Sequence, residues 1–243
     1  MTHVDDRTAQ TLEFLRRGIL EVEGLISWGS NYTFLGRVCL GEREVEVIYK
    51  PRKGERPLWD FTPGTLCLRE RAAFLVSEAL GWCVVPPTIL RDGPHGWGSV
   101  QRFVEHDPER HYFTFEGQFQ DQLQRIALFD LLVNNADRKG GHVLIDDEDH
   151  LWSIDHGICF HSDYKLRSVI WEFAGQTISP PLREDVRRLH QTLEDPHADI
   201  TVDLSELLNP RELEAMKRRS GKLLQEKSFP RPGPGRHYPW PPV

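Results

Sequence analysis

Two aspartates lie at opposite ends of a short apolar segment in the middle of the chain. Asp137 precedes this segment and Asp155 follows it. The residues between them predict two strands, at 143–145 and 151–154, joined by the polar turn 146–149. Because a hairpin starts and finishes at one end, both carboxylates would lie close together. One of them could orient an acceptor hydroxyl while the other holds a cation on a phosphate group, as phosphoryl transfer requires.

A lysine and a glutamate earlier in the chain extend this set. Lys50 ends a predicted strand and could direct its ammonium at phosphate oxygens, and Glu70 on the next predicted helix could pair with it. Backbone N–H groups around Ser30 and Asn31, in a small polar turn, could cradle phosphates. Each part alone has a simpler explanation. Lys50 could be a solvated strand end, and Glu70 could belong to an ion pair on the surface of its helix. Glu78, on the same helix, is a rival candidate for the role of Glu70. The order of all the parts together favours phosphoryl transfer.

These residues need elements that hold them in place, and the hydrophobic periodicity predicts such elements. Apolar residues recur at helical spacing in residues 7–22, 64–81, 118–133, 181–193 and 210–225. Strands or β-rich stretches are predicted at residues 23–34, 35–40, 45–49, 84–90 and 98–104. Pro51 would stop the strand that carries Lys50, and Gly81 would end the helix that carries Glu70. From Phe229 onward, the Pro-rich composition predicts a tail that is extended over the surface or disordered.

The composition is that of an ordinary globular protein, with 243 residues, 39% hydrophobic and 28% charged. This length suits one large domain or two lobes that share a cleft. The net charge of −7 argues against a general nucleic-acid binder. The apolar runs are too short for a transmembrane helix, the polar residues 1–7 do not suit a signal peptide, and the four cysteines show no paired spacing. We therefore expect a cytoplasmic protein with free thiols.

Several motifs resemble the phosphatidylinositol 3-/4-kinase-like group, namely Lys50, Arg69-Glu70-Arg71-Ala72-Ala73-Phe74, Val85-Pro86-Pro87-Thr88, Asn135-Ala136-Asp137-Arg138 and Ile154-Asp155-His156-Gly157. The loop around Asp137 is also similar to that of HipA-type kinases. The resemblance runs from about Gly24 to Phe160 and is closest to small bacterial proteins labelled phosphatidylinositol-kinase-like. It implies an α+β, bilobal protein-kinase-like fold with ATP in the cleft. The β-rich N-lobe would be residues 1–105, the mainly helical C-lobe residues 106–228, and the Pro-rich tail residues 229–243.

The resemblance also implies which residues bind the nucleotide. Lys50 matches the lysine that contacts the ATP phosphates, and Glu70 matches its partner on the helix. The hinge that contacts adenine would be residues 101–105, with Gln101 and Phe103 as its candidate contacts.

On the catalytic side, the resemblance makes Asp137 the catalytic aspartate, in an Asp-Arg pair with Arg138, and Asp155 the ligand of Mg²⁺. One position departs from the family pattern, because His142 stands where these kinases usually have a metal-binding Asn. Mg²⁺ prefers oxygen ligands, so an imidazole is a poor replacement. Either His142 helps to hold a softer ion such as Mn²⁺, or a second metal is lost, or the protein binds nucleotide without fast transfer. Lys139 also stands where a His is common.

We therefore expect ATP-dependent transfer of a phosphoryl group to a hydroxyl acceptor, which could be a small molecule, a protein or a lipid. A nucleotide-binding module without turnover and an AMP transferase are the alternatives that use the same residues. A metal hydrolase is disfavoured, because the histidines between 142 and 161 do not have the spacing of HExxH or of a Cys/His site. A nucleophilic hydrolase is disfavoured by the lack of a Gly-x-Ser-x-Gly motif.

Overall fold

The structure is a computed structural model that describes residues 6–26 and 31–243. Within these ranges the helices are α1 (Asp6–Arg17), α2 (Leu66–Leu80), α3 (Gln120–Val133), α4 (Pro180–Glu194), α5 (Asp199–Leu207) and α6 (Pro210–Glu226). The strands are β1 (Ile19–Ile26), β2 (Thr33–Leu40), β3 (Arg43–Pro51), β4 (Thr88–Gly93), β5 (Gly96–Arg102), β6 (Val143–Ile145) and β7 (Leu151–Ser153).

The first part of the chain is built around a five-stranded antiparallel sheet in the order β1-β2-β3-β5-β4. Lys50 pairs with Ser99 in the register of β3 and β5, so it occupies a central strand near its end. Helix α2 packs against β4 and β5. This packing sets the distance between Lys50 and the residues that α2 carries.

Both ends of α2 are capped, which fixes where Glu70 lies. The carboxylate of Glu55 accepts hydrogen bonds from the backbone N–H groups of Leu66 (3.1 Å) and Cys67 (2.9 Å), which would otherwise lack partners at the helix N-terminus. At the other end Gly81 adopts a left-handed conformation with φ 69° and donates to the carbonyl of Glu78. The predicted helix and its glycine stop are therefore confirmed.

The second part is mainly helical. Helix α3 is buried along most of its length and leads directly into the loop that carries Asp137. The two-stranded β6–β7 hairpin follows, with Val143 paired to Ser153, as the sequence predicts. Helices α4, α5 and α6 pack on one another and complete this part. A single hydrophobic cluster runs from Leu12 in α1 to Phe229, so both parts share one core.

Two local expectations, the end of the first helix and the region of α5, differ from the structure. Helix α1 ends at Arg17, and Gly18 packs so closely on β2 that a Cβ atom there would lie only 2.4 Å from a methyl carbon of Val38. Ile19 and Leu20 therefore belong to strand β1 and not to the helix. Helix α5 lies in a stretch where no helix was predicted. The tail after Phe229 follows the surface, which is one of the two forms predicted from the sequence, and it contacts the loop next to Asp137. None of the helices within the described ranges is long and apolar enough to cross a lipid bilayer.

Candidate active site

A cleft lies between strand β3, helix α2 and the loop after β7. It combines four charged side chains with the polar segment at the start of β2. Its lining residues are Asn31, Tyr32, Thr33, Lys50, Pro51, Glu55, Leu66, Cys67, Glu70 and Asp155. The cleft therefore brings together residues from four separate parts of the chain.

The ammonium of Lys50 is the cation of this cleft, and it contacts two carboxylates. Its Nζ atom lies 2.5 Å from Oε1 of Glu70 and 3.0 Å from Oδ1 of Asp155. Burial opposes the charge, but the two carboxylates outweigh it and raise the pKa of Lys50 above its usual value. Lys50 is therefore charged at neutral pH, and its position is fixed from both sides of the cleft.

Glu70 links helix α2 to the loop that follows β7. One carboxylate oxygen binds Lys50, and the other accepts a hydrogen bond of 3.0 Å from the backbone N–H of His156. Only 3% of the side chain is exposed. A buried carboxylate needs such compensation for the loss of water. Glu70 thus holds Lys50 and the backbone next to Asp155 in one arrangement.

Asp155 lies at the open side of the cleft with half of its side chain exposed. Its backbone is in the left-handed region, with φ 63°, a conformation that Asp tolerates better than most residues do. The charge of Lys50 lowers the pKa of Asp155 well below its usual value. Its second oxygen, Oδ2, lies 3.4 Å from Nε2 of His142. Asp155 is therefore ionised, accessible and close to an imidazole.

His142 presents a lone pair to Asp155. Its Nδ1 atom lies 3.0 Å from the backbone carbonyl of Asp137. A carbonyl can only accept, so Nδ1 carries the proton and Nε2 is unprotonated. Burial lowers the pKa of His142 to about 4, with Asp155 opposing this shift. A neutral imidazole nitrogen and a carboxylate oxygen thus face each other, an arrangement that a divalent cation can join.

Asp137 lies next to this pair, in the loop between α3 and β6. Its backbone N–H donates to the side-chain oxygen of Asn135 at 3.0 Å. Burial raises the pKa of Asp137 to about 6, with Lys139 lowering it and Asp155 raising it. The carboxyl group is therefore close to its titration point near neutral pH. Such a group can accept a proton more readily than an ordinary aspartate.

Arg138 occupies a different environment from its neighbour. Its side chain has no exposed surface, and it forms a bidentate ion pair with Asp130 of helix α3 at 2.9 and 3.0 Å. The same guanidinium donates to the carbonyls of His142 (3.1 Å) and Ile154 (2.9 Å). Its catalytic role expected from the sequence does not suit this burial, because a substrate cannot reach it. We therefore propose that Arg138 positions the two loops that carry Asp137 and Asp155.

The predicted phosphate and adenine contacts are only partly in the cleft. Asn31 lines it, and its side-chain oxygen accepts from the backbone N–H of Arg56 at 2.7 Å. Ser30 lies outside the described residues. The amide of Gln101 is buried and donates to the hydroxyl of Thr88 at 2.8 Å, so this side chain is engaged inside the sheet. Phe103 begins the connection after β5, and its N–H donates to the carbonyl of Glu46.

A divalent cation would find a partial ligand set here. Within residues 6–26 and 31–243, no group of three or more His, Cys, Asp or Glu side chains is arranged to hold a metal ion by itself. The available donors are the exposed carboxylate of Asp155 and the neutral Nε2 of His142. Cations that act on nucleotides are commonly bound through one or two carboxylates and the phosphates. The residues present therefore fit a cation that arrives with a nucleotide.

A buried polar network, which was not predicted from the sequence, supports the loop. The carboxylate of Asp130 accepts from Arg138 and from the side-chain amide of Asn135, and both are fully buried. His156 and Ser153 complete the network, with Nε2 of His156 lying 2.9 Å from the guanidinium of Arg138. A charged residue amid the apolar residues of α3 was the available signal for Asp130, because buried charges need partners.

Comparisons with known sequences identify similar proteins. A family model for phosphatidylinositol 3- and 4-kinase matches residues 92–199. Protein Rv2133c of Mycobacterium tuberculosis is 38% identical over 276 residues, and the match covers 99% of this chain and 97% of that protein. Phosphatidylinositol 4-kinase gamma 4 of Oryza sativa subsp. japonica is 30% identical over 136 residues, which is 48% of this chain and 24% of that kinase.

Among solved structures, the Golgi casein kinase with Mn/ADP bound is similar, with a TM-score of 0.60 over 91% of this chain and 75% of that chain. The sequence identity is 17%, so this likeness concerns the fold alone. It confirms the α+β, kinase-like fold that the sequence predicts. The chain therefore belongs to the same family as protein Rv2133c, and its residues 92–199 match the phosphatidylinositol 3- and 4-kinase family.

Proposed function

We propose that this protein transfers the γ-phosphoryl group of ATP to a hydroxyl acceptor, with a divalent cation as cofactor. The observation that carries the proposal is the convergence of Lys50, Glu70 and Asp155 in one cleft, with Asp137 at its side. Phosphoryl transfer depends mainly on positioning and on neutralising negative charge. A buried lysine, a cation ligand and a carboxylate with a raised pKa supply these functions.

In this proposal Lys50 binds the phosphate oxygens, and Glu70 keeps it oriented towards them. Lys50 would exchange its contact with Asp155 for one with the nucleotide, while its contact with Glu70 persists. Asp155 and His142 would hold the cation, which would neutralise charge on the phosphates. The Mn/ADP bound to the Golgi casein kinase, whose fold is similar, supports the use of a nucleotide and a divalent cation here.

Asp137 would accept the proton of the attacking hydroxyl. The new bond forms between the hydroxyl oxygen and the γ-phosphorus, and the bond between that phosphorus and the oxygen bridging to the β-phosphate breaks, which releases ADP. The raised pKa of Asp137 suits this proton transfer. We retain the division into an N-lobe of residues 1–105 and a C-lobe of residues 106–228 as part of the proposal.

Calorimetric titration with ATP tests the binding part of this proposal. The native chain should bind ATP more tightly in Mn²⁺ or Mg²⁺ than in EDTA. Asp155→Asn should lose this dependence on the cation, because its side chain no longer carries the charge that holds the ion. Asp163→Asn, an exposed residue on the same segment, is the matched control. Equal affinities of the native chain with and without the cation would contradict the proposal.

A further inference from the structure

We propose that a groove next to Asp137 binds the acceptor as a polypeptide segment, and that residues 237–243 of this chain occupy that groove in cis. The proposal rests on the proposed function and names its substrate class. The tail lies against residues 140–141 and 168–171, with Phe113 beside Gly140, and we call this surface the tail groove. A polypeptide acceptor and the tail would exclude each other.

Three N–H groups of the tail groove bind carbonyl oxygens of the tail. The carbonyl of His237 accepts from the backbone N–H of Ser168 and from the indole Nε1 of Trp171, both at 3.1 Å. The carbonyl of Pro242 accepts from the backbone N–H of Gly140 at 2.8 Å. One short segment thus reaches from residues 168–171 to the loop of Asp137.

The tail groove adjoins the loop that carries Asp137. The backbone N–H of Arg138 donates to the carbonyl of Arg167, and the N–H of Val169 donates to the carbonyl of Arg138. These bonds fasten residues 167–169 to the loop of Asp137. A segment that lies across both therefore passes next to the loop that carries Asp137.

The absence of a side chain at Gly140 suits this contact. A Cβ atom at Gly140 would lie 2.6 Å from a ring carbon of Phe113, so no side chain fits on that side without displacing the ring. The glycine leaves its own N–H against the tail, where it binds Pro242. The neighbouring Gly141 also faces the tail, since a Cβ there would contact Val243 at 4.0 Å.

The chemistry of these donors indicates a polypeptide and not a lipid headgroup. All three are neutral N–H groups, and they bind two carbonyls of one main chain. Main-chain recognition of this kind is typical of peptide-binding sites, where side chains then add specificity. Here the ring of His237 packs edge-on against Trp171, with 6.1 Å between the ring centroids and an interplanar angle of 88°.

The tail is attached loosely enough to be displaced. Within the described chain the hydrophobic cluster extends no further than Phe229. After Phe229, Pro239 is the residue of the tail that is buried, and Trp240 is 78% exposed. Removal of the tail contacts would therefore leave the core intact, and an acceptor with similar main-chain contacts could take their place.

The test is a binding measurement without ATP, so that its result is independent of turnover. A fluorescent peptide with the sequence of residues 231–243 is titrated against the native chain and against a full-length variant whose residues 237–243 are a Gly-Ser repeat. We expect the variant to bind the peptide at least tenfold more tightly, because its groove is open. Equal binding to both chains, or no binding to the Gly-Ser variant, would overturn the proposal.

A groove variant keeps the test specific. In the Gly-Ser background, Trp171→Phe removes the indole N–H but keeps a ring, and it should weaken peptide binding several-fold. Trp97→Phe, on strand β5, is the matched control and should bind as the Gly-Ser variant does. If Trp171→Phe binds the peptide unchanged, the peptide does not use the groove and the proposal is wrong.

Transfer assays separate the substrate class from the proposed function. The Gly-Ser variant is incubated with γ-labelled ATP, Mn²⁺ and either serine-substituted versions of the tail peptide or phosphatidylinositol vesicles. Label on the peptides supports the proposal. Label on the lipid alone overturns the polypeptide assignment but leaves the phosphotransferase intact. Tight peptide binding without any transfer leaves the groove intact and counts against the proposed function.

Discussion

Lys50 and Glu70 form an ion pair of 2.5 Å that joins the sheet to helix α2, and the second oxygen of Glu70 joins the helix to the loop of Asp155. This single carboxylate therefore fixes both the cation that would contact the phosphates and the backbone that carries the cation ligand. A substitution of Glu70 should therefore affect nucleotide binding, although Glu70 itself would not contact the nucleotide.

Glu70→Gln should weaken ATP binding about tenfold, because the neutral amide cannot hold the ammonium of Lys50 as a carboxylate does. It should also lower the free energy of unfolding by about 1–3 kcal/mol, since a buried ion pair and a hydrogen bond are altered. Calorimetry and urea denaturation measure the two effects. Glu78→Gln, on the same helix, should leave ATP affinity unchanged. If Glu78→Gln weakens ATP binding as much as Glu70→Gln does, the role that we assign to Glu70 at the nucleotide site belongs to Glu78 as well.

Arg138→Lys should destabilise the protein although it keeps the positive charge. An ammonium cannot reproduce the bidentate pair with Asp130 together with the donors to the carbonyls of His142 and Ile154. The expected loss is about 3 kcal/mol, the range for a broken buried ion pair. Chemical denaturation checks it, with the exposed Arg211→Lys as control. A loss below about 1 kcal/mol would show that Arg138 does not hold the loops.

The rate of transfer should depend on pH through Asp137. Burial raises the pKa of its carboxyl group to about 6. Since only the ionised carboxylate can accept a proton, the rate should be high above pH 6 and fall as the pH decreases through 6. Initial rates measured between pH 5 and 8, at a saturating concentration of the cation, show this decrease. A rate that stays constant down to pH 5 would contradict the role of Asp137 as the base.

His142→Asn should change the preference for the metal ion. An imidazole favours Mn²⁺ over Mg²⁺, whereas an amide oxygen is a hard ligand that Mg²⁺ accepts. We expect the native chain to need less Mn²⁺ than Mg²⁺ for half-maximal ATP binding, and the variant to reduce this difference several-fold. Manganese binding followed by electron paramagnetic resonance gives the same comparison without turnover. An unchanged ratio would mean that His142 does not contact the cation.

The sequence predicted the residues whose role depends on their own chemistry. Lys50 and Glu70 were recognisable because a strand and a capped helix follow each other, and Asp137 and Asp155 because a hairpin separates them. The support around them was not predictable in the same way. The contact between Arg138 and Asp130 depends on the packing of α3, and the position of the tail depends on contacts with residues that are distant in sequence. Short-range patterns do not encode such long-range contacts.

The most direct test of the account is transfer of label from ATP by the native chain, Asp137→Asn and Asp155→Asn, with Mn²⁺ and an acceptor. We expect γ-label but not α-label on the acceptor, and a rate lower by at least about 10²-fold in each variant. Asp147→Asn, in the exposed turn between β6 and β7, should retain the native rate. Binding of ATP by the native chain without cation-dependent transfer, or transfer that both variants retain, would contradict the account.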